Sequence, residues 1–252
     1  MIELRNVTAG YGKHTVLSNL SVAFEKGKLT SIVGVNGCGK STLLKAVLGM
    51  IPLGGGEIFI DGRALGNMTR SEIARKAAYL SQGKNTPDMT VEQLVLHGRF
   101  PHLNYPRHYT AQDRDIAVLA MEQAGIADAA RKPLHTLSGG MRQNAYIAMA
   151  LAQDTDYILL DEPTTYLDIG HQLELMHILR GLAGDGKGII AVMHDLPMAF
   201  TFSDNIVLLN NGQVIGNDAP NQLCKQQTIS HVFGVAIERS ADGQTYRYQY
   251  KT

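Results

Sequence analysis

Apolar and polar positions alternate at the start of the chain. Ile2, Leu4 and Val7 stand among polar neighbours, and Val22 and Phe24 do the same before Lys26-Gly27-Lys28. A period of two predicts short, half-buried strands joined by tight turns, and residues 57–61, closing on Asp61-Gly62, extend the pattern. From about Thr69 to Ala130 the spacing becomes helical. Thr90, with Gln93 three places on, reads as a capping box opening a helix over 91–98, and Thr110 opens another that ends at Gly125. Farther along, helical stretches alternate with near-continuous apolar runs at 157–160 and 188–193, as expected of strands buried on both faces of a parallel sheet. Residues 207–209 and 213–215 flank Asn211-Gly212, a two-residue hairpin signal, whereas 219–252 carries only weak periodicity. No repeat or polar linker divides the chain. The pattern predicts one domain over 1–252: an α/β core of mostly parallel sheet flanked by helices, an antiparallel β part, and a helical insertion near 83–135.

Composition narrows the classes. Of 252 residues 44% are hydrophobic and 18% charged, which suits a folded globular chain rather than a disordered or membrane-spanning one. Lys+Arg and Asp+Glu both number 23, so the basic surplus expected of a dedicated nucleic-acid binder is missing. No apolar run approaches the roughly 18 residues needed to cross a bilayer, and no secretory leader is expected. Two cysteines, Cys38 and Cys224, cannot build a disulfide framework and point to a reducing compartment.

The chemistry is concentrated in a few motifs. Ser31-Ile32-Val33 runs into Gly34-Val35-Asn36-Gly37-Cys38-Gly39-Lys40-Ser41-Thr42, and Leu43-Leu44-Lys45 continues as a helix. This is the G-x-x-x-x-G-K-[ST] phosphate loop in its required setting between strand and helix. The glycines let backbone N–H groups turn inward around an anion, and the helix start adds its positive dipole end. Lys40 can reach the β- and γ-phosphates of a nucleoside triphosphate, and the Ser41 hydroxyl can ligate Mg²⁺. A second element is the apolar run that ends in Asp161-Glu162. A strand buried on both faces ends in charge where its tip opens onto a site. There Asp161 can accept the metal through a water and Glu162 can polarise the attacking water.

Leu137-Ser138-Gly139-Gly140-Met141-Arg142-Gln143 resembles the LSGGQ signature of ATP-binding cassette ATPases, with Met141 in the variable fifth place. A helix beginning near Met141 would present free N–H groups behind Ser138, Gly139 and Gly140, making a second phosphate site. The resemblance spans the whole chain, and further positions follow in family order. Tyr11 resembles the aromatic that stacks on adenine, and Gln82 the loop glutamine that meets Mg²⁺ or water. Asp168, in Thr165-Tyr166-Leu167-Asp168, resembles the aspartate that crosses between subunits. His194 resembles the switch histidine at the γ-phosphate. The other histidines, His171 among them, read as surface or packing residues.

The resemblance implies a homodimer in which the phosphate loop of one copy faces the signature of the other with ATP between. It also implies integral membrane permease partners, an indirect link to a substrate-binding protein, and a peripheral place on the cytoplasmic face of a prokaryotic membrane. Residues 91–102 and 164–172 are similar to ATPases of importers for iron–siderophores, haem and cobalamin. Asn144 departs from those relatives, which carry a basic residue there. The expected permease contact is Arg99-Phe100-Pro101-His102-Leu103, an apolar anchor among polar residues. Rival readings are an importer ATPase for another substrate such as a metal ion, and a cytosolic cassette ATPase acting on DNA or ribosomes. The 56 positions from Gln82 to Ser138 leave no room for the long coiled coil of the DNA-repair members, and a single phosphate loop is unlike the two-cassette ribosomal ones.

Overall fold

A computed structural model describes residues 1–81, 86–226, 228–241 and 243–249. Strand β1 (Ile2–Tyr11) pairs antiparallel with β2 (His14–Phe24), and β3 (Leu29–Val33) then enters the core and leads through the glycine loop into α1 (Lys40–Val47). Next come β4 (Leu53–Ile60), β5 (Arg63–Ala64), α2 (Arg70–Lys76) and β6 (Ala77–Leu80). Helices α3 (Val91–His97), α4 (Ala111–Gln123) and α5 (Gly139–Ala152) follow, then β7 (Tyr157–Asp161), α6 (Ile169–Gly184), β8 (Gly188–Val192) and α7 (Leu196–Phe202). The chain closes with β9 (Asn205–Asn210), β10 (Gln213–Asp218), α8 (Pro220–Lys225), α9 (Thr228–Phe233), β11 (Ala236–Arg239) and β12 (Tyr246–Gln249).

Six strands form the central sheet in the order β10-β9-β3-β8-β7-β6, parallel except for the β9–β10 hairpin. Strands β3, β7 and β8 are buried at every position, which is why they read as unbroken apolar runs. A separate antiparallel sheet, β2-β1-β4-β5, covers one face, and α1 packs with Ile2, Leu4, Leu17 and Phe24 of that sheet in a shared core. Helices α3 to α7 pack on the other face in a second core. The glycine loop therefore leaves the C-terminal edge of the central sheet between two layers, where open α/β sheets place ligands.

Local signals explain many of the boundaries. Thr69, Thr90 and Thr110 each close a capping box, with Glu72, Gln93 and Asp113 respectively. Gly125 sits at φ 64°, in the left-handed conformation that ends α4.

Two expectations need correction, and the stretch that the sequence left open takes on structure. The stretch from Thr69 is not uniformly helical, because Ala77–Leu80 is a strand paired parallel to β7. The weak tail holds two short helices and a β11–β12 hairpin that packs on α7: Tyr246 meets Phe200 edge-on, and the Leu196 N–H donates to the Tyr248 hydroxyl at 3.4 Å. Arg99 is not part of an exposed anchor. It is 7% exposed and paired with buried Asp113, because α3, α4 and the end of α5 close over it. Of that segment it is Phe100 that stands exposed, with the Arg107 guanidinium over its ring.

Candidate active site

The glycine loop is shaped by steric demands. A Cβ on Gly34 would collide with the Leu209 carbonyl of β9, and Gly37 and Gly39 take φ values of 78° and 109°. The Leu43 N–H bonds to the Gly39 carbonyl at 2.9 Å, closing the first turn of α1 against the loop. Lys40, buried at 6% exposure, donates to the carbonyls of Gly34 (2.7 Å) and Val35 (3.1 Å), so its ammonium lies within the ring of the loop. Cys38 is buried beside it, and burial pushes its thiol pKa up.

Asp161 is the last residue of β7 and is 5% exposed. The Ser41 hydroxyl donates to its Oδ1 at 2.9 Å, and the Tyr79 hydroxyl donates to its Oδ2 at 3.1 Å. Burial first, and then the Asp161 charge, hold the Tyr79 phenol far above its ordinary pKa, so it remains a donor. Ser41 and Asp161 offer adjacent hard oxygens with lone pairs to spare, the donor set a small divalent cation takes when phosphate oxygens complete its shell. Among the described residues no cluster of three or more His, Cys, Asp or Glu could hold a metal by itself.

Sheet register places the next two groups side by side. Asp161 pairs with Val192 on β8, so Glu162 and His194 both lie just beyond adjacent strand tips. Glu162 adopts φ 53°, an uncommon left-handed conformation for a residue with a Cβ, and so turns the chain out of the strand. Its Oε1 lies 2.5 Å from His194 Nε2, and its Oε2 accepts from the Thr165 hydroxyl at 3.3 Å. Tyr11, at the tip of the β1–β2 hairpin, is 47% exposed, and the Lys45 ammonium of α1 lies 6.0 Å from its ring centroid.

The remaining predicted residues keep local partners. Ser138 caps α5 by accepting the Met141 N–H at 3.2 Å. The helix starts at Gly139, two residues earlier than expected, so Gly139 and Gly140 lie inside its first turn. Asp168 caps α6, accepting the His171 N–H at 3.0 Å, and lies 2.7 Å from that residue's ring Nδ1. A cavity of about 270 Å³ runs from Asp161 and Glu162 past Tyr166 to Gly139 and Arg142. Asn36 and Thr42 belong to the loop and α1, whereas Gln82 lies outside the described residues. Sequence reasoning missed Tyr79 and Thr165. Tyr79 carried one usable signal, an aromatic with a polar tip near the C-terminal end of a buried strand.

The arrangement combines a glycine loop closed around a buried lysine, a hydroxyl–carboxylate pair and a carboxylate held by an imidazole. Comparisons with known proteins identify the family. A family description for ABC transporters matches residues 17–165. The iron(3+)-hydroxamate import ATP-binding protein FhuC of Bacillus subtilis is 40% identical over 94% of this chain and 88% of its own. The ferric enterobactin transport ATP-binding protein FepC of Escherichia coli is 39% identical over 91% of this chain and 85% of its own. Among solved structures, a dimeric ATP-binding cassette in a post-hydrolysis state with ADP and Pi superposes with a TM-score of 0.74. It shares 28% identity over 87% of this chain and 99% of that one.

Proposed function

This chain belongs to the ABC transporter family as one of its ATPases, and on that premise we propose that it is the energy-coupling subunit of a membrane importer for iron–siderophore complexes or related chelates such as haem or cobalamin. The observation that carries the catalytic part is the convergence of Ser41 and Asp161 beside the phosphate loop with Glu162 and His194 on the neighbouring strand tips. The cargo class is supported by the names of the relatives, which are import or transport ATP-binding proteins for ferric hydroxamates and ferric enterobactin.

ATP is the substrate. The loop amides from Gly34 to Thr42 cradle its phosphates, Lys40 leaves its two carbonyl partners for the β- and γ-phosphate oxygens, and Tyr11 stacks on the adenine. Ser41 and Asp161 would hold Mg²⁺, and the family resemblance assigns Gln82 to the metal or the attacking water. When bound, the ion supplies charge neutralisation at the phosphate oxygens. Glu162 accepts a proton from water as that oxygen bonds to the γ-phosphorus. The bond to the bridging oxygen breaks, leaving ADP and Pi. His194, which contacts Glu162 in this structure, holds the carboxylate and reaches the γ-phosphate. Ser138, Gly139 and Gly140 of a second copy close the site from across a homodimer, with Asp168 crossing at the interface.

Residues 1–252 act in this reading as one nucleotide-binding domain with its helical insertion at about 83–135. No helix among the described residues is long and apolar enough to cross a membrane. Integral permease subunits carry the cargo in this reading, as the names of the import ATP-binding relatives suggest. The chain then sits peripherally on their cytoplasmic face, fed indirectly by a substrate-binding protein, with no nucleic-acid partner.

Glu162→Gln tests this reading. The substitution keeps size and removes the proton acceptor, so turnover should fall by about 10²-fold or more while MgATP binding persists. The variant should accumulate as an ATP-dependent dimer by gel filtration, and adding Ser138→Arg should abolish that dimer. A Glu162→Gln protein that binds ATP yet stays monomeric, with and without its permease, would overturn the shared-site mechanism.

A further inference from the structure

Asp161 is held at both oxygens by hydroxyls from different layers of the fold. Ser41 comes from α1 and takes Oδ1, while Tyr79 comes from β6 and takes Oδ2. A free aspartate rotates broadly about χ2, because its terminal torsion is a shallow two-fold well. Two donors on opposite oxygens fix the plane of the carboxylate. The Ser41 hydroxyl must also serve the cation, whereas Tyr79 reaches the far oxygen and serves the carboxylate alone.

The placement of Tyr79 follows from the alternation along β6. Ala78 and Leu80 are buried in the core shared with the helical layer. Tyr79 points the other way, with Ala77, toward the core that contains α1 and the antiparallel sheet. Parallel pairing sets Tyr79 opposite Leu159 on β7, two residues before Asp161. Its ring packs against that core as a phenylalanine would, and only the hydroxyl extends to the end of the neighbouring strand. Packing alone does not call for that hydroxyl. Its partner is the carboxylate assigned to the metal rather than a backbone group.

We propose that Tyr79 is a positioning residue for the metal carboxylate, acting through Asp161 to set the affinity of the site for Mg²⁺ in the nucleotide complex. Second-layer partners of this kind commonly change metal affinity by about 10–100-fold when removed. The inference rests on the ATPase reading above, in which Ser41 and Asp161 take the ion.

Tyr79→Phe keeps the ring and deletes the donor. Binding of a fluorescent ATP analogue is titrated with Mg²⁺ and compared with binding in EDTA. The expected result is a rise of about 10-fold in the Mg²⁺ concentration for half-maximal enhancement, with affinity in EDTA unchanged within about twofold. The same substitution in an Asp161→Asn background should add nothing, because the coupled partner is already gone. An unchanged Mg²⁺ midpoint overturns the proposal. So does an equal loss with and without Mg²⁺, which would mean the ring matters only for packing, and so does an undiminished effect in the Asp161→Asn background. Failure of the ATPase reading looks different, since the unaltered protein would then bind no nucleotide at all.

Discussion

The imidazole of His171 fills the space that a side chain at Gly140 would need: a Cβ built there collides with the ring, which Asp168 holds through Nδ1. The signature glycine at the start of α5 and the first turn of α6 are therefore fitted to each other within one chain. Gly140→Ala shows whether that fit matters. At an open helical position the change stabilises by about 1 kcal/mol, because alanine is the better helix former. Here the ring or the helix must shift, so the sign should reverse to a loss of about 1–3 kcal/mol. Urea denaturation reads it as a lower midpoint at constant slope. Adding His171→Ala should recover most of the loss, and a Gly140→Ala protein more stable than the unaltered one would contradict the packing.

A second prediction concerns the ion pair inside the helical layer. Arg99 donates from Nε to Asp113 at 2.9 Å and from Nη1 to the Ala152 carbonyl at 2.9 Å, and Thr110 donates to the same carboxylate from its N–H (2.9 Å) and hydroxyl (2.7 Å). Burial alone would raise the Asp113 pKa, but the Thr110 and Arg99 bonds outweigh it and hold the carboxyl at about 2. A lowered folded-state pKa means the stabilisation is complete above the unfolded value of about 3.9 and is lost as pH falls toward 2. Asp113→Asn should cost about 3–5 kcal/mol near neutrality by leaving Arg99 buried without its counter-charge. Urea titrations should also show a shallower stability slope for the variant between about pH 4 and 2 than for the unaltered protein.

The loop cysteine gives a third. Cys38 is 4% exposed and burial raises its thiol pKa, so the reactive thiolate is scarce at neutral pH. Labelling by a maleimide at pH 7.5 should run at least about tenfold slower than with a free model thiol and speed up with pH. MgATP should slow it further, and protein labelled at Cys38 should lose nucleotide binding, both followed by mass spectrometry. Fast labelling with binding retained would place the thiol outside the phosphate cradle.

The legible parts of this fold were those in which local chemistry and tertiary position agree. The phosphate loop needs left-handed glycines at Gly37 and Gly39 wherever the rest of the chain goes, and the threonine caps need only a partner three residues on. Strand β6 was missed because α2 runs into it at Lys76-Ala77 with no glycine or proline between, and alanine favours helix. Its identity as a strand comes from pairing with β7, about 80 residues farther on. The β11–β12 hairpin escaped for a similar reason: α7 supplies the apolar surface that its own sequence lacks. The Tyr79 contact with Asp161 depends on that same pairing, so it became visible only once the sheet was assembled.

Strand β7 has the mechanics of a cantilever. Its root is clamped on the side away from the nucleotide: the Tyr157 hydroxyl donates to Asp61 at 2.8 Å, Lys26 and Lys76 each bridge Asp61 and Asp156, and Lys187 grips the Thr155 carbonyl. Its tip carries Asp161 and Glu162, roughly 13 Å away at the usual strand rise. A beam held this way stays aimed while the loops around its end are rearranged by ligand or partner. Stiffness and chemistry are thus assigned to opposite ends of one strand. Wear in the clamp, such as loss of the Tyr157 hydroxyl, would register as misaligned carboxylates at a distance, with every residue that touches the nucleotide still in place.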